Sequence, residues 1–167
     1  MKGEAEPSGI PVQAEPILAI LKKSGLDYQV KVFNSPAHRA SQAARMLDCP
    51  LGAIVKSLVF QESGGGQMVL VLVSGENRVD PAVMGNELGF DVEPARPDIV
   101  FQLTGFAVGS VPPIGIAGEF QVIFDCDLTQ FDRVWAAAGS ANVLIGLSPQ
   151  TLLGLSGGVL ARIGMKL

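Results

Sequence analysis

The chain has 167 residues, of which 48% are hydrophobic and 17% are charged, with a net charge of −4. This length fits one domain, and no apolar run approaches the ~18 residues that a membrane-spanning helix needs. The acidic balance argues against general DNA binding, which depends on many Lys and Arg side chains, but it leaves room for a local site that binds one or two phosphates.

The first part of the chain predicts a polar leader, one helix and one strand. Residues 1–14 are polar and broken by Pro and Gly, without the apolar core of a signal peptide, so we expect a flexible N-terminal leader before a single domain over residues 15–167. Glu15–Ser24 carries an apolar stripe at helical spacing, and Gly25 ends that helix. Tyr28–Phe33 alternates apolar and polar residues, as a strand does.

A short helix and a hairpin follow. Ser41–Leu47 is predicted as a helix with Ser41 as its N-cap. Ala53–Phe60 is predicted as a strand that turns at Gly64–Gly66 and returns as the strand Gln67–Ser74. This strand–turn–strand run is the clearest hairpin in the chain.

The second half of the chain alternates short helices with strands. The predicted helices are Asp80–Leu88, Pro97–Leu103 and Ser148–Leu155. The predicted strands are Phe106–Val108, Gln121–Phe124, Val134–Ala138, Asn142–Leu147 and Val159–Ile163. Because strands outnumber helices and occur in runs, we predict an α+β domain whose mixed, largely antiparallel, barrel-like sheet is surrounded by helices.

Lys56 stands in a strand that is otherwise almost wholly apolar. Alternation places it on the same face as Ile54 and Leu58. A lysine in such a run is costly to bury unless its ammonium group is paired or reaches a wet pocket. Two interpretations stay open: a lysine at a strand end that extends to solvent, and a cation in a cleft that meets a phosphate or a developing oxyanion.

The segment Gly109–Gly115 reads GSVPPIG and is the second candidate feature. Glycine lets a ligand approach the backbone closely, and proline fixes φ and removes an N–H donor. A rigid loop of this kind can present backbone groups to a substrate. The alternative is an ordinary connection between strands.

The remaining polar candidates carry weaker signals. His38 is expected on the surface or against the substrate, with general base near Ser41 as the alternative, because no Ser-His-Asp order can be read. The polar groups of the turn Gly139–Asn142 could line a cleft or simply cap the turn. Asp125 and Asp127 could bind Mg²⁺, but a solvated turn is the favoured interpretation. One His and two separated Cys argue against a zinc site.

Taken in order, these segments resemble the YbaK/ProX family, relatives of the editing domain that is inserted in bacterial prolyl-tRNA synthetases. The resemblance runs from about Gly25 to Ile163. Gly109 and Pro113 match the fixed positions of the family's G-x-x-x-P loop. The other matching segments are Ser41–Leu47, Val55–Leu58, Val79–Asp80, Thr104–Phe106, Ala138–Asn142 and Leu147–Pro149.

The resemblance implies a trans-editing hydrolase that deacylates mischarged aminoacyl-tRNA at the ester of the 3′ end. It implies that Lys56 and Gly109 are the functional lysine and loop glycine, and that water attacks the ester without a metal or other cofactor. We expect the substrate to contact the residues His38, Ser41, Ser110, Val111, Pro112, Pro113, Gly139, Ser140 and Asn142. The expected location is the cytoplasm, and the expected partners are the tRNA 3′ end and an aminoacyl-tRNA synthetase, with no membrane.

One departure from the family bears on the substrate. The family often has a threonine just before the small helix, where this chain reads His38-Arg39-Ala40-Ser41. Either Ser41 supplies the hydroxyl group or the group is missing. The alternative function is a noncatalytic module of the same fold that binds tRNA, a nucleotide or a synthetase.

Overall fold

The computed structural model describes residues 9–167. Residues 1–8 of the predicted leader lie outside the described residues. The following six residues do not stand apart from the domain, because Val12–Ala14 form a 3₁₀ turn and Ala14 is fully buried.

Within residues 9–167 the chain forms five α-helices and ten strands. The helices are α1 Glu15–Ser24, α2 Ala40–Leu47, α3 Pro81–Leu88, α4 Pro97–Thr104 and α5 Pro149–Ser156. The strands are β1 Gln29–Val32, β2 Ile54–Glu62, β3 Met68–Ser74, β4 Asn77–Val79, β5 Val92–Pro94, β6 Gln121–Asp125, β7 Val134–Ala137, β8 Val143–Leu147, β9 Val159–Ala161 and β10 Gly164–Lys166. None of the described helices is long and apolar enough to cross a membrane.

Capping groups explain where most of the helices begin and end. Asp80 accepts a hydrogen bond from the N–H of Ala82 at 2.9 Å and so starts α3. Ser148 does the same for α5 by accepting from the N–H of Thr151 at 3.1 Å. Gly25 adopts the left-handed conformation that ends α1. These boundaries confirm the helices predicted from sequence.

Two local predictions are wrong. Ser41 is not the N-cap of α2, because the helix already begins at Ala40; instead the side chain of Gln42 accepts from the N–H groups of His38 and Arg39. Residues 106–108 form no strand, since the N–H of Phe106 is held by the Thr104 hydroxyl oxygen at 3.1 Å and the chain then turns.

The main sheet has the order β1-β8-β7-β2-β3-β6-β9. Strand β5 also pairs with β2, at the end of β2 that β7 does not reach. The pairs β1–β8, β7–β8, β2–β3 and β2–β5 are antiparallel. The pairs β2–β7, β3–β6 and β6–β9 are parallel. This arrangement confirms the predicted α+β domain with a mixed, largely antiparallel sheet. In the described part of the chain β1 and β9 do not pair, so the sheet is not a closed barrel.

Both faces of the central hairpin are buried, which explains why β3 reads as a continuous apolar run. Leu70 and Leu72 of β3 join the largest core cluster, which also takes in α1. Val69 and Val71 point to the opposite face and pack with Met84 of α3. A third cluster joins α2 to the start of β2 and to β7 and β8.

Candidate active site

A cleft of about 420 Å³ opens beside the middle of β2. Helix α2 packs over Ile54 at the start of this strand, and α3 belongs to the cluster around Phe60 near its end. Lys56 lies on the stretch between these two covered regions. The cleft is lined by Ala37, His38, Arg39, Ala40, Ser41, Ala43, Leu51, Ile54, Val55, Lys56, Ser57, Leu58, Gly75, Val108, Gly109, Val111, Ala137, Ala141, Leu144 and Leu167.

Lys56 is half-buried in this cleft and its ammonium group donates to the backbone C=O of Asn77. Burial lowers the pKa of Lys56, because the charged form loses water, and the negative charge of Asp125 raises it in part. The first of the two interpretations left open by the sequence, a lysine that extends to solvent at a strand end, therefore does not describe this side chain.

Asn77 is held by a network of carboxylates behind Lys56. The residue is fully buried, and its side-chain amide nitrogen donates to an oxygen of Asp125 and to one of Asp127, each at 2.8 Å. Asp125 also accepts from the backbone N–H of Ser74 at 3.1 Å. Strand β10 closes this region from outside, since a Cβ on Gly164 would lie 2.2 Å from the Asn77 amide nitrogen.

The expectation of a solvated turn at Asp125 is wrong, because this residue is only 1% exposed. Asp125, Cys126 and Asp127 place ligand-type atoms within 4.8 Å of one another. However, the Asp125 carboxylate already accepts hydrogen bonds from Ser74, Asn77 and the N–H of Asp127. Its role in this structure is to fix the ends of β3 and β6 and the Asn77 side chain.

The loop that follows α4 brings Gly109 into the wall of the cleft. Gly109 has a φ of 89°, and the nearest atom to an added Cβ would be the C=O oxygen of His38 at 3.9 Å. The N–H of Ser110 donates to the C=O of Ala107 at 2.9 Å and closes the turn. Val111 and Ile114, which are 2% and 5% exposed, anchor the loop in the main core.

The N-terminal end of α2 forms the rim of the cleft. His38, Arg39 and Ser41 are exposed and line the opening. Behind them the wall is apolar and includes both small side chains, such as that of Ala43 of α2, and larger ones, such as that of Leu144 of β8. His38, Arg39 and Lys56 are the titratable side chains among the described lining residues, and no carboxylate or thiol is among them.

The structure brings five of the predicted site residues together and leaves six outside the cleft wall. Lys56, Gly109, His38, Ser41 and Val111 line the cleft. Ser110 and Pro112 flank the lining residues of the loop, and Pro113 lines a separate cavity of about 160 Å³. The remaining three lie in the turn between β7 and β8: Gly139, Ser140 and Asn142.

The β7–β8 turn is built by local contacts. An added Cβ on Gly139 would lie 2.6 Å from the C=O oxygen of Gln13. The Asn142 side chain donates to the C=O of Phe33 at 3.0 Å, and the Ser140 hydroxyl oxygen accepts from the N–H of Asn142 at 3.3 Å. Their neighbour Ala141 is the turn residue that reaches the cleft.

Sequence reasoning missed the network behind Lys56 and most of the cleft wall. Asn77 carried no signal, because its short strand was not predicted and its contacts join residues 48 and 50 positions away. The wall residues Ala37, Ala137 and Leu144 look like any core residues in the sequence. The spacing of Asp125 and Asp127 is the one signal of this network in the sequence, and its interpretation as a solvated turn is wrong for Asp125.

Chemically, the cleft combines one partly desolvated cation, an accessible glycine backbone and apolar walls. A desolvated ammonium group stabilises negative charge more strongly than a solvated one does. The walls can accept a small apolar or weakly polar group. Such a site is suited to holding an ester or phosphate group beside a small side chain.

Comparison with known proteins gives a consistent result. A model of the aminoacyl-tRNA editing domain matches residues 34–155. The uncharacterised protein YwhH of Bacillus subtilis is 32% identical over 123 residues, which are 74% of this chain and 78% of YwhH. The multifunctional Ser/Thr-tRNA deacylase ProXp-y of Escherichia coli is 26% identical over 127 residues, which are 74% of this chain and 75% of the relative.

Among solved structures, a crystal structure described as a candidate trans-editing enzyme for prolyl-tRNA synthetase superposes with a TM-score of 0.86 at 34% identity. The match covers 94% of this chain and 99% of that protein. The two proteins therefore share their fold over nearly the whole length of both chains.

Proposed function

This chain belongs to the aminoacyl-tRNA editing domain family and hydrolyses mischarged aminoacyl-tRNA, and we propose that the cleft between Lys56 and Gly109 is where the hydrolysis takes place. The observation that supports this assignment is that the two residues stand on different elements, 53 positions apart in the sequence, and line one cleft. Membership confirms the YbaK/ProX resemblance that the sequence motifs indicated.

In the proposed reaction a water molecule attacks the carbonyl carbon of the ester that joins the amino acid to the tRNA 3′ end. The tetrahedral intermediate carries a negative charge on the former carbonyl oxygen, and its collapse breaks the bond to the ribose oxygen. The products are the free amino acid and a tRNA with a free 3′ hydroxyl group. The lining residues that the structure describes include no carboxylate side chain. Substrate hydroxyl groups are proposed to help to position the water.

Lys56 acts as an electrostatic clamp in this proposal. Its ammonium group stabilises either the oxyanion or a phosphate of the tRNA 3′ end, and its partial desolvation strengthens that attraction. The Asn77 carbonyl fixes its position. Gly109 lets the loop backbone approach the aminoacyl group, because its positive φ and open surroundings leave this side of the cleft free.

The protein is proposed to act in trans in the cytoplasm on tRNA charged by a synthetase, with which it associates. The relatives support that partner class, because one is described as a trans-editing enzyme for prolyl-tRNA synthetase. His38 and Arg39 at the rim are placed to meet the phosphates of the 3′ end.

The test is a deacylation panel with alanyl-, cysteinyl-, seryl- and correctly charged prolyl-tRNA. We expect turnover of at least one mischarged tRNA, with prolyl-tRNA left intact. Lys56→Ala should lose about 100-fold or more of that rate, whereas Lys31→Ala, which removes an exposed lysine on β1, should keep it. Binding of tRNA without turnover of any panel member would instead favour a noncatalytic module.

A further inference from the structure

Strand β2 has a break in its pairing at the cleft. On the side away from β3, it pairs with β7 only at Ile54 and Val55. On the same side, β5 joins it only from Phe60 onwards. The stretch between these two contacts has β3 as its one strand neighbour. The cleft lies at this break.

The N–H and C=O of Ser57 point towards this break in the pairing of β2. Val59 C=O accepts from the N–H of Ala95 at 3.0 Å and so points away from β3. Ile54 C=O accepts from the N–H of Gly75, which follows β3, and so points the other way. Because backbone groups alternate in direction along a strand, the N–H and C=O of Ser57 share the direction of Val59.

The main chain of Ser57 is therefore an open strand edge inside the cleft. Within residues 9–167 its N–H and C=O have no backbone partner on this side. Ser57 is half-buried and lines the cleft, yet its hydroxyl oxygen is buried and has no hydrogen-bond partner there. The hydroxyl oxygen therefore contributes almost none of the accessible surface of Ser57.

An aminoacyl ester has the groups that such an edge pairs with. In a hydrogen-bonded antiparallel pair, two opposite residues exchange both of their N–H···O bonds. The α-ammonium group and the ester carbonyl of one aminoacyl unit have the same spacing as the N–H and C=O of one residue. Addition of an extended segment to an open edge is a general mode of ligand recognition.

We propose that the main chain of Ser57 binds the aminoacyl group as a neighbouring strand residue would, with its C=O accepting from the α-ammonium group and its N–H donating to the ester carbonyl oxygen. The contact is independent of the side chain of the bound amino acid. It holds the carbonyl carbon beside Lys56, the preceding residue on the same strand. This inference rests on the proposed function, because it concerns the substrate of that reaction.

The experiment compares three esters on the same tRNA. The first carries the amino acid of the panel that is hydrolysed fastest, the second its α-hydroxy acid and the third its des-amino acid; for alanine these analogues are lactic and propionic acid. Each kcat/KM is divided by the spontaneous hydrolysis rate of the same ester, because the ammonium group itself makes an ester labile.

We expect the des-amino ester to lose about 10- to 100-fold of the rate enhancement, as removal of a charge-assisted hydrogen bond does. The α-hydroxy ester should lie between the other two, since it keeps a neutral donor. Equal enhancements for the three esters would overturn the Ser57 contact and leave the proposed function standing. Failure to hydrolyse even the aminoacyl ester would overturn both.

The N–H contact has its own test, in which Ser57 is replaced by its α-hydroxy acid so that an ester oxygen takes the place of the backbone nitrogen. The matched control is the same replacement at Phe60, whose backbone groups face β3 by the alternation described above and which leaves both backbone groups of Ser57 unchanged. The control removes a ladder hydrogen bond to β3 and should weaken β2 more, but only the Ser57 variant should lose about 10-fold in kcat/KM at equal folded fraction. A wild-type kcat/KM in the Ser57 variant would overturn the N–H contact.

Discussion

At the scale of single residues, the proposed function depends on the charge of Lys56. A half-buried ammonium group is held in place by a backbone carbonyl, and its environment contains two opposing influences on its pKa. Loss of water lowers the pKa, and the Asp125 carboxylate raises it in part. If Lys56 acts as a cation, a change in either influence should move the pH range in which the protein is active.

The Asp125→Asn variant is expected to shift the pH dependence of deacylation. The active form of Lys56 is protonated, so activity is present below its pKa and falls as the pH rises through it. Because burial has lowered this pKa, the fall begins at a lower pH than for a solvated lysine; removal of the Asp125 charge moves it lower still. The measurement is kcat/KM against pH after subtraction of spontaneous hydrolysis.

Asp127→Asn is the matched control for this shift. Asp127 also binds the Asn77 amide, but the charge that raises the pKa of Lys56 is that of Asp125. The alkaline limb of the pH profile of Asp127→Asn, where kcat/KM falls as the pH rises, should coincide with that of the wild type. If both variants shift the limb equally, the effect comes from the Asn77 side chain and not from the Asp125 charge.

At the scale of elements, the site depends on β2 and on the loop and the helix that line the cleft beside it. The loop is anchored by buried residues on its far side, so Gly109 is fixed at the cleft although it is exposed. Helix α2 lines the cleft through small side chains. Each of these two elements offers a substitution that tests its role and a second residue, close in the sequence, that serves as the matched control.

Gly109→Ala should lose activity through backbone strain. An alanine at a φ of 89° is strained by about 1 kcal/mol although the added methyl group has space. Gly105→Ala is the control, since Gly105 has a φ of 78° at the end of α4 and also has open space around it. We expect similar losses of stability from both variants by thermal unfolding, with a fall of about 10-fold or more in kcat/KM for Gly109→Ala alone. Equal activity of the two variants would contradict a role for the loop backbone.

Ala43→Val should narrow the cleft and change its selectivity. Ala43 is 4% exposed and lines the cleft, whereas Ala44, at 7%, belongs to the same cluster but not to the cleft wall. This substitution adds two methyl groups, and one extra methylene group in a pocket already changes discrimination by about 10- to 200-fold. The kcat/KM for the larger amino acids of the panel should therefore fall more than that for alanine. Ala44→Val should lower stability without changing the ratio between substrates; a changed ratio would show a general packing effect.

The sequence could be interpreted correctly where local signals sufficed. Asp80, Ser148 and the glycines that follow the helices act within a few residues of their own element, and the hairpin of β2 and β3 follows from alternation and a glycine turn. The short strands β4 and β10 could not be predicted, because three residues carry no periodicity and the pair joins distant parts of the chain. Lys56 and Gly109 were recognised from their residue types and motifs, whereas Asn77 acts through contacts that only the fold creates.

At the scale of the whole molecule, the charge distribution limits how tRNA is held. The chain carries a net charge of −4, and the cationic side chains of the cleft are those of Lys56 and Arg39. Few phosphates can therefore be neutralised. The structure is consistent with recognition of the tRNA 3′ end and weak contact with the rest of the tRNA.

The salt dependence of deacylation should accordingly be shallow. With one or two phosphates contacted, the slope of log(kcat/KM) against log salt concentration is expected at about −1, from −0.7 per phosphate on a single strand. Arg39→Ala should make the slope shallower, while Arg45→Ala, an exposed residue of α2 outside the cleft wall, should not. A slope steeper than about −4 would indicate an extended tRNA-binding surface elsewhere on the molecule.

The central claim is that Lys56 and Gly109 act on one substrate in one cleft, and a double-mutant cycle tests it most directly. The single-turnover deacylation rate of the fastest panel substrate is measured at saturating enzyme for the wild type, Lys56→Ala, Gly109→Ala and the double variant. Residues that act as a unit are not additive, so the double variant should lose at least about 5-fold less than the product of the two single losses. A double loss equal to that product, or a wild-type rate in Lys56→Ala, would contradict the account.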